Sequence, residues 1–203
     1  MVENTKNLLS EIEDYAIREK IPIMQPEGIR FLTNYIELHD ITNILEIGTA
    51  IGYSAIKMAL VNPKIKVTTI ERDEQRYLEA IKNIKKFGLE KRITLIFNDA
   101  LNTIIDTKFD LIFIDAAKSQ NINFFNHFEK NLDKEGSIIT DNIFFHGYTY
   151  MDPDKIESKN IKAIARKIRD YVKFLENNKQ YKTEIKKIGD GIAVTRRNEV
   201  LWK

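Results

Sequence analysis

The chain has 203 residues, no cysteine, and a formal net charge of +2 from 32 basic and 30 acidic side chains. This length suits one α/β domain and is short for two, and the lack of cysteine excludes disulfides and thiolate metal sites. The sequence contains no apolar run of 18 residues, and acidic side chains interrupt its N-terminal stretch MVENTKNLLSEIEDYA, so we expect a cytoplasmic protein without a membrane partner.

The first predicted elements are two helices, because apolar residues recur at helical spacing from Leu8 to Ala16 and from Ile29 to Leu38. Five apolar runs then predict strands, at Asn43–Ile47, Lys66–Ile70, Ile93–Phe97, Leu111–Ile114 and Ser137–Thr140. Helical patterns separate them, among them Glu74–Phe87 and Ile122–Asn131. Strands that alternate with helices indicate βαβ units and a mostly parallel sheet.

The last two predicted strands differ from the others. Lys182–Ile188 and Ile192–Arg196 are joined by the short turn Gly189-Asp190-Gly191, which is typical of an antiparallel hairpin. We therefore predict an α/β fold with a seven-stranded, mostly parallel sheet, helices on both faces and a C-terminal antiparallel hairpin. The sequence has no internal repeat or linker, so a single domain over residues 1–203 is expected.

Polar residues at the ends of the predicted strands indicate a ligand site, because the loops after parallel strands share one crevice. The loop GTAIGYS has Gly48 and Gly52 four residues apart, which does not match the G-x-G-x-x-G pattern for a pyrophosphate. Glu46 before it would repel a phosphate and favour an ammonium or sulfonium group. Glu71 could accept hydrogen bonds from ribose hydroxyls, and Asp99 one from an adenine amine.

These three acids, in this order along one βαβ series, suggest S-adenosylmethionine as the cofactor. The alternative for each acid alone is that it caps the next helix. With these motifs the chain resembles the class I S-adenosylmethionine-dependent methyltransferases, and within them the metal-dependent O-methyltransferases of the catechol and caffeoyl-coenzyme A type. The resemblance runs from about Ile23 to Arg196. It implies a Rossmann-like methyltransferase domain and cofactor contacts from Met24, Glu46, Gly48, Thr49, Tyr53, Ser54, Glu71, Asp99, Ala100 and Asp115.

Some of these positions also have simpler interpretations. Met24 lies beside prolines, where a methionine is more often a packing residue. The longer family members carry extra segments that shape a small-molecule pocket, and this chain is short there.

A second group of side chains predicts a divalent cation. Asp115, Asp141 and Asn142 offer the oxygen ligands that Mg²⁺, Mn²⁺ or Ca²⁺ prefer, although Asp141 and Asn142 could instead cap the next segment. The resemblance assigns these three positions to the metal and Lys118 to the base, so that Lys118 and Asp115 are the predicted catalytic residues. A cation that chelates two vicinal oxygens would acidify the substrate hydroxyl, and Lys118 nearby could accept its proton.

Two substrates remain open. From Lys155 onward the chain has fourteen basic and six acidic residues, a net charge of +8, which leaves −6 for residues 1–154. Lys162, Arg166, Arg169 and Lys173 form a basic stripe that could follow RNA phosphates. The chain is similar to the small bacterial enzymes that methylate 5-hydroxyuridine at the tRNA wobble position to 5-methoxyuridine. The alternative is a small catechol-like or other diol metabolite, with the stripe only a solvated helix face.

The resulting division of the chain has three parts. Residues 1–40 form N-terminal helices, residues 41–142 the cofactor- and metal-binding core, and residues 143–203 a substrate-side loop, the basic helix and the terminal hairpin. A homodimer is expected. His146 is interpreted as a residue at the lip of the site, and the aromatic cluster Phe144, Phe145, Tyr148 and Tyr150 could stack on a planar substrate or pack in a core or dimer contact.

Overall fold

The computed structural model of the protein describes residues 2–198, with side chains from residue 4 onward. These residues form two compact units, one that ends at Ile104 and one that begins at Ile105.

The first unit is built from three parallel strands and the helices around them. Its elements are α1 (Val2–Arg18), α2 (Pro26–Leu38), β1 (Asn43–Ile47), α3 (Tyr53–Val61), β2 (Lys66–Glu71), α4 (Glu74–Lys86) and β3 (Ile93–Phe97). β2 pairs in parallel with both β1 and β3. α2 begins at a proline, which has no N–H to leave unpaired, and Asp73 caps α4 by accepting a hydrogen bond from the Arg76 N–H. Because these three strands are parallel, the loops that follow them all lie at the carboxyl end of the sheet.

β1 is the most deeply buried strand of this unit. Four of its five residues are buried, and α3 buries most of its own side chains. A strand covered on both faces reads as a nearly continuous apolar run, which is why Glu46 within β1 is conspicuous as a charged residue in the core.

The second unit contains β4 (Phe109–Ile114), α5 (Asn121–Phe128), β5 (Leu132–Thr140), α6 (Lys159–Glu176), β6 (Tyr181–Lys186) and β7 (Ile192–Arg197). β4 and β5 are parallel, whereas β7 runs antiparallel to both β5 and β6. The predicted C-terminal hairpin is thus confirmed.

Two predicted boundaries in this unit are wrong by three residues or more, and the others differ by at most two. β5 begins at Leu132 and not at Ser137, because Gly136 lies inside the strand where a side chain would meet the backbone oxygens of Phe109 and Asp110 at 3.0 and 3.1 Å. A glycine that reads as a turn thus permits close strand approach. α5 ends at Phe128, three residues early, and continues as a 3-10 turn.

The seven strands have the order β3-β2-β1-β4-β5-β7-β6 in a single sheet. The predicted fold class, a mostly parallel α/β sheet that ends in an antiparallel hairpin, is confirmed. That the chain is one domain stays a prediction. Over residues 2–198, no helix combines the length and apolarity needed to cross a membrane.

Candidate functional site

The glycine-rich loop after β1 has a fixed backbone. Gly48 and Gly52 both have positive φ, at 98° and 85°, and Gly52 opens α3. A Cβ on Gly52 would lie 3.4 Å from the Cβ of Ala80, so even a small side chain there would contact α4, and it would be strained by the positive φ. Asn83, which is buried in α4, donates a hydrogen bond of 2.9 Å to the Ile51 oxygen. The glycines therefore allow both the turn and the close approach of α4.

Glu46 is fully buried and bonded to hydroxyl groups. Its carboxylate accepts hydrogen bonds from Ser54 Oγ and, at 2.5 Å, from Thr69 Oγ1. Thr69 Oγ1 also lies 2.6 Å from Thr49 Oγ1. Thr69 thus links Glu46 to Thr49, and Glu46 in turn binds Ser54, so that three predicted cofactor residues share one hydrogen-bond network. Thr69 was not among the predicted site residues, although a polar residue inside a buried strand is a usable signal, because buried polar groups need partners.

Glu71 at the end of β2 organises the surrounding backbone. Its Oε2 accepts from the Ala50 N–H at 2.8 Å, and its Oε1 accepts from the N–H groups of Arg72 and Asp73 at 2.9 and 2.8 Å. A carboxylate has about four acceptor positions, so one on Oε2 remains for a ligand hydroxyl. The glycine loop and the β2 end are joined through this side chain.

Asp99 after β3 performs the capping role that was the alternative interpretation. Its Oδ1 accepts from the Leu101 N–H at 2.9 Å, at the start of a 3-10 turn that contains the buried Ala100. Its Oδ2 lies 3.1 Å from Nη1 of Arg72, in an ion pair that is partly exposed. A contact with an adenine amine stays a prediction and would use the remaining acceptor positions of Asp99.

Met24 and Tyr53 have intramolecular partners. Met24 is buried, and its Cε would lie 3.0 Å from a Cβ on Gly28, so it packs across the start of α2. The Tyr53 hydroxyl donates to Glu13 Oε1 in α1 at 2.6 Å, and burial together with this bond raises the pKa of the Tyr53 phenol. Both side chains have contacts that stabilise the unit without a ligand.

The second unit gathers the residues predicted to bind the metal. Ile114 and Thr140 are paired across β4 and β5, so Asp115 and Asp141 follow them at the same level of the sheet, and the Asp141 N–H donates to the Ile114 oxygen at 3.2 Å. Lys118 Nζ lies 2.6 Å from Asp115 Oδ1, with both side chains mostly buried. Asn142 has a left-handed φ of 59°. The chain here places two carboxylates, an amide and an ammonium at one strand edge.

The charges of this group are incompletely balanced. Burial raises the pKa of the Asp141 carboxyl to about 7, and the carboxylates of Asp115 and Asp190 add to this rise, while Lys118 offsets part of it. Within residues 2–198, no three His, Asp or Glu side chains form a group suited to a metal ion. A cation here would therefore need the Asn142 amide as well as Asp115 and Asp141.

Comparisons with known proteins identify the family. A family model described as O-methyltransferase matches residues 2–198. The chain belongs to this O-methyltransferase family. The caffeoyl-CoA O-methyltransferase of Medicago sativa is 30% identical over 186 residues, which cover 83% of this chain and 72% of that protein. The predicted recognition as an S-adenosylmethionine-dependent O-methyltransferase of this type is thus confirmed.

Solved structures agree with this assignment. A Staphylococcus aureus protein, provisionally named as a caffeoyl-CoA O-methyltransferase, has a TM-score of 0.89 and 33% identity, with 94% of this chain and 92% of that one covered. The O-methyltransferase from Bacillus cereus in complex with SAH shares the fold, with a TM-score of 0.82, 24% identity and coverage of 95% and 91%.

Only some side chains of the basic stripe of this O-methyltransferase are free of hydrogen bonds and ion pairs with the described part of the protein and so available for phosphates. Arg169 Nη1 donates to the backbone oxygens of Thr149 and Met151 at 3.4 and 3.1 Å, and Lys162 pairs with Asp154 at 3.2 Å. Arg166 and Lys173 are exposed. α6 therefore uses half of the stripe to hold the segment between β5 and α6.

The aromatic residues of that segment contact one another in pairs. Phe144 and Tyr150 meet edge to face, with ring centroids 5.6 Å apart, and Phe145 and Tyr148 are tilted at 5.7 Å. The His146 side chain is largely exposed, as a residue at the lip of a site would be.

Proposed function

We propose that this O-methyltransferase transfers the methyl group of S-adenosylmethionine to one of two adjacent oxygens of a substrate held by a divalent cation. The observation that carries the proposal is the pair Asp115 and Asp141, of which Asp115 is paired with Lys118 at 2.6 Å and Asp141 has a raised pKa. A buried negative charge without full compensation favours a bound cation. Mg²⁺ and Mn²⁺ suit these oxygen donors, and Ca²⁺ could occupy the same ligands.

The first unit would hold the cofactor. The acceptor position left on Glu71 Oε2 suits a ribose hydroxyl. The N–H groups of Gly48 and Thr49 already donate to the Ile70 oxygen at 3.1 and 3.2 Å, so cofactor contacts from these two residues would use their other atoms. Glu46, Ser54 and Tyr53 would act from inside the unit, since their polar groups bond to other protein groups. Met24, Asp99 and Ala100 complete the contacts proposed for this unit, and a contact from Asp115 stays a prediction from the sequence.

The residues of the second unit would accept the proton of the substrate hydroxyl. When bound, a divalent cation would lower the pKa of the substrate hydroxyl and fix its approach to the methyl group. A bound cation would repel a second positive charge at this site, so Lys118 Nζ, which Asp115 orients from 2.6 Å, would take up that proton. Methyl transfer would break the carbon–sulfur bond of S-adenosylmethionine as the new carbon–oxygen bond forms, and would give S-adenosylhomocysteine and a methyl ether.

For the substrate we propose 5-hydroxyuridine at the tRNA wobble position, with 5-methoxyuridine as the product. Its 5-hydroxyl and 4-oxo groups are vicinal oxygens that can chelate a cation. Arg166 and Lys173 support an RNA partner, because they are exposed, lie two turns apart on α6 and could contact phosphates. Phe145 and Tyr148 offer ring surface for a base.

A small catechol-like or other diol metabolite is the second candidate. It is favoured by the similarity to the Medicago sativa caffeoyl-CoA O-methyltransferase and by the internal bonds of Lys162 and Arg169. It requires the same cation and the same base.

Methyl transfer from labelled S-adenosylmethionine separates these candidates. Bulk tRNA that contains 5-hydroxyuridine and a simple catechol are each incubated with the protein and Mg²⁺. Label in 5-methoxyuridine supports the tRNA substrate, whereas label only in the catechol supports the diol. No transfer to either would contradict the proposed vicinal-oxygen chemistry.

A further inference from the structure

The turn between β6 and β7 carries a carboxylate that the proposed chemistry does not use. Asp190 is 8% exposed, and its Oδ1 accepts a hydrogen bond of 2.6 Å from the backbone N–H of His146. Its Oδ2 is buried without a hydrogen-bond partner and lies 3.8 Å from the His146 Nδ1. Burial of a carboxylate costs free energy unless its oxygens are hydrogen-bonded or its charge is paired.

This turn binds the segment that directly follows Asn142. The Ile143 N–H donates to the Gly191 oxygen at 3.0 Å, and the Phe144 N–H donates to the Asp190 oxygen at 2.8 Å. A Cβ on Gly191 would lie 2.6 Å from the Phe144 ring, so the turn and the ring are in direct contact. Together with the bond from His146, three hydrogen bonds fix residues 143–146 to the hairpin.

The fixed segment has an unfavourable backbone. Asn142, Phe145 and His146 have φ values of 59°, 48° and 53°, in the left-handed region that residues with side chains seldom adopt. Such conformations persist where surrounding contacts impose them. The only side chain of the turn that bonds this segment in the described part of the chain is Asp190.

We propose that Asp190 is a positioning residue, which holds the left-handed segment 142–146 through the His146 N–H and so keeps the Asn142 amide beside Asp115 and Asp141. This rests on the proposed cation site. The acting group is the acceptor at Oδ1, because its donor is a backbone amide, and an amide oxygen in the same place would serve. The charge of Asp190 would also attract a cation, and a variant that keeps the oxygen without the charge separates the two contributions.

Three variants separate these contributions. Asp190→Ala removes the acceptor, Asp190→Asn keeps an oxygen in its place, and His146→Asn keeps the backbone N–H, removes the imidazole and tolerates a positive φ. Mn²⁺ is titrated calorimetrically into each protein without substrate. We expect Asp190→Ala to weaken Mn²⁺ binding at least about 10-fold, the usual loss for a residue that orients a ligand. Asp190→Asn and His146→Asn should stay within about threefold of wild type.

A second measurement follows the hydrogen bond by which Asp190 holds the segment 142–146. Amide hydrogen exchange of residues 143–146 should accelerate at least about 10-fold in Asp190→Ala and little in Asp190→Asn. The affinity for S-adenosylhomocysteine should not change, which separates this role from general loss of structure. If Asp190→Ala does not fold, Asp190→Ser, which leaves a smaller void but cannot reach the N–H, takes its place.

Wild-type Mn²⁺ affinity in folded Asp190→Ala would overturn the proposal. So would equal losses in Asp190→Asn and Asp190→Ala, which would assign the effect to charge, or an equal loss in His146→Asn, which would assign it to the imidazole. A wild-type protein that binds no Mn²⁺ would instead contradict the proposed cation site. The exchange measurement would then decide whether Asp190 holds the segment 142–146.

Discussion

The acidic side chains of the two units differ in how their charges are satisfied. In the first unit, Glu46 accepts from two hydroxyls and Glu71 from three backbone N–H groups, while Asp99 binds one N–H and one guanidinium. In the second unit, Asp141 has a raised pKa and Asp190 retains an oxygen without a partner. The acids of the first unit thus have donors within the protein for their oxygens, whereas those of the second unit have too few.

This difference separates two kinds of ligand site. Acids that are already hydrogen-bonded form a rigid frame, in which the ligand needs to supply only a few hydroxyl or amine contacts. Acids that crowd one another without enough donors favour a ligand that brings positive charge. The first arrangement suits a nucleoside cofactor and the second a divalent cation.

Loss of the cation should have the largest effect. Chelator, or Asp141→Ala in the presence of Mg²⁺, should lower methyl transfer at least about 100-fold. Excess Mg²⁺ or Mn²⁺ should restore the chelated wild type. The matched control is Asp133→Ala, which changes an exposed aspartate in β5, the strand that Asp141 directly follows, and should keep normal turnover. Full activity after exhaustive chelation would remove the contrast between the two units.

The raised pKa of Asp141 also predicts how stability depends on pH without a cation. Because its folded-state pKa of about 7 lies above the ordinary 3.8, the folded protein retains a proton that the unfolded chain releases between these values. The contribution of Asp141 to the free energy of unfolding therefore falls as pH rises through this window. Asp141→Asn, which cannot ionise, should gain stability over wild type by about 2–4 kcal/mol across it.

Urea unfolding in chelator at a series of pH values measures this difference. The gain should grow from about pH 4 to pH 7 and then level off. A difference that does not vary with pH would show that the charge of Asp141 is compensated within the protein, as the acids of the first unit are.

The corresponding test in the first unit concerns Glu71. Glu71→Ala should weaken S-adenosylhomocysteine binding by about 1.5–3 kcal/mol, the range for hydrogen bonds to a charged group. The control, Glu74→Ala, changes an exposed acid three residues away and should bind normally. Calorimetry that gives wild-type affinity for folded Glu71→Ala would exclude this carboxylate from the cofactor site.

The smallest predicted effect concerns the substrate. Charge reversal of Arg166 and Lys173 should raise the KM for tRNA and reduce its salt dependence by about one unit of slope for each phosphate that the variant no longer binds. Methylation of a catechol should not change, and Lys179→Glu, an exposed position outside the stripe, is the control. Normal tRNA methylation by the double variant at every salt concentration would leave the stripe as a solvated face.

The sequence predicted the parts of this fold that depend on periodicity. Alternating apolar runs and the Gly-Asp-Gly turn identified the parallel sheet and its hairpin. The start of β5 was predicted too late, because a glycine such as Gly136 occurs both in turns and at close contacts between strands, and its presence alone does not distinguish them. The acids at strand ends were found because parallel strands deliver their loops to one edge.

Partners distant in sequence could not be predicted in this way. Thr69 joins Glu46 to Thr49, Asn83 holds the loop at Ile51, and Asp190 bonds to His146, 44 residues away. Each contact depends on side-chain packing between elements, which spacing along the chain does not specify. For the same reason, the sequence identified the stripe as basic but did not show that Arg169 is hydrogen-bonded to a backbone oxygen.

The central claim is that the acids of the second unit form a divalent cation site. Crystals grown with Mn²⁺ and measured at its absorption edge test this most directly, because anomalous scattering locates the ion independently of activity. We predict one strong peak within coordination distance of oxygens from Asp115, Asp141 and Asn142, and none there in Asp141→Asn. Absence of a peak beside these residues at saturating Mn²⁺ would contradict the claim.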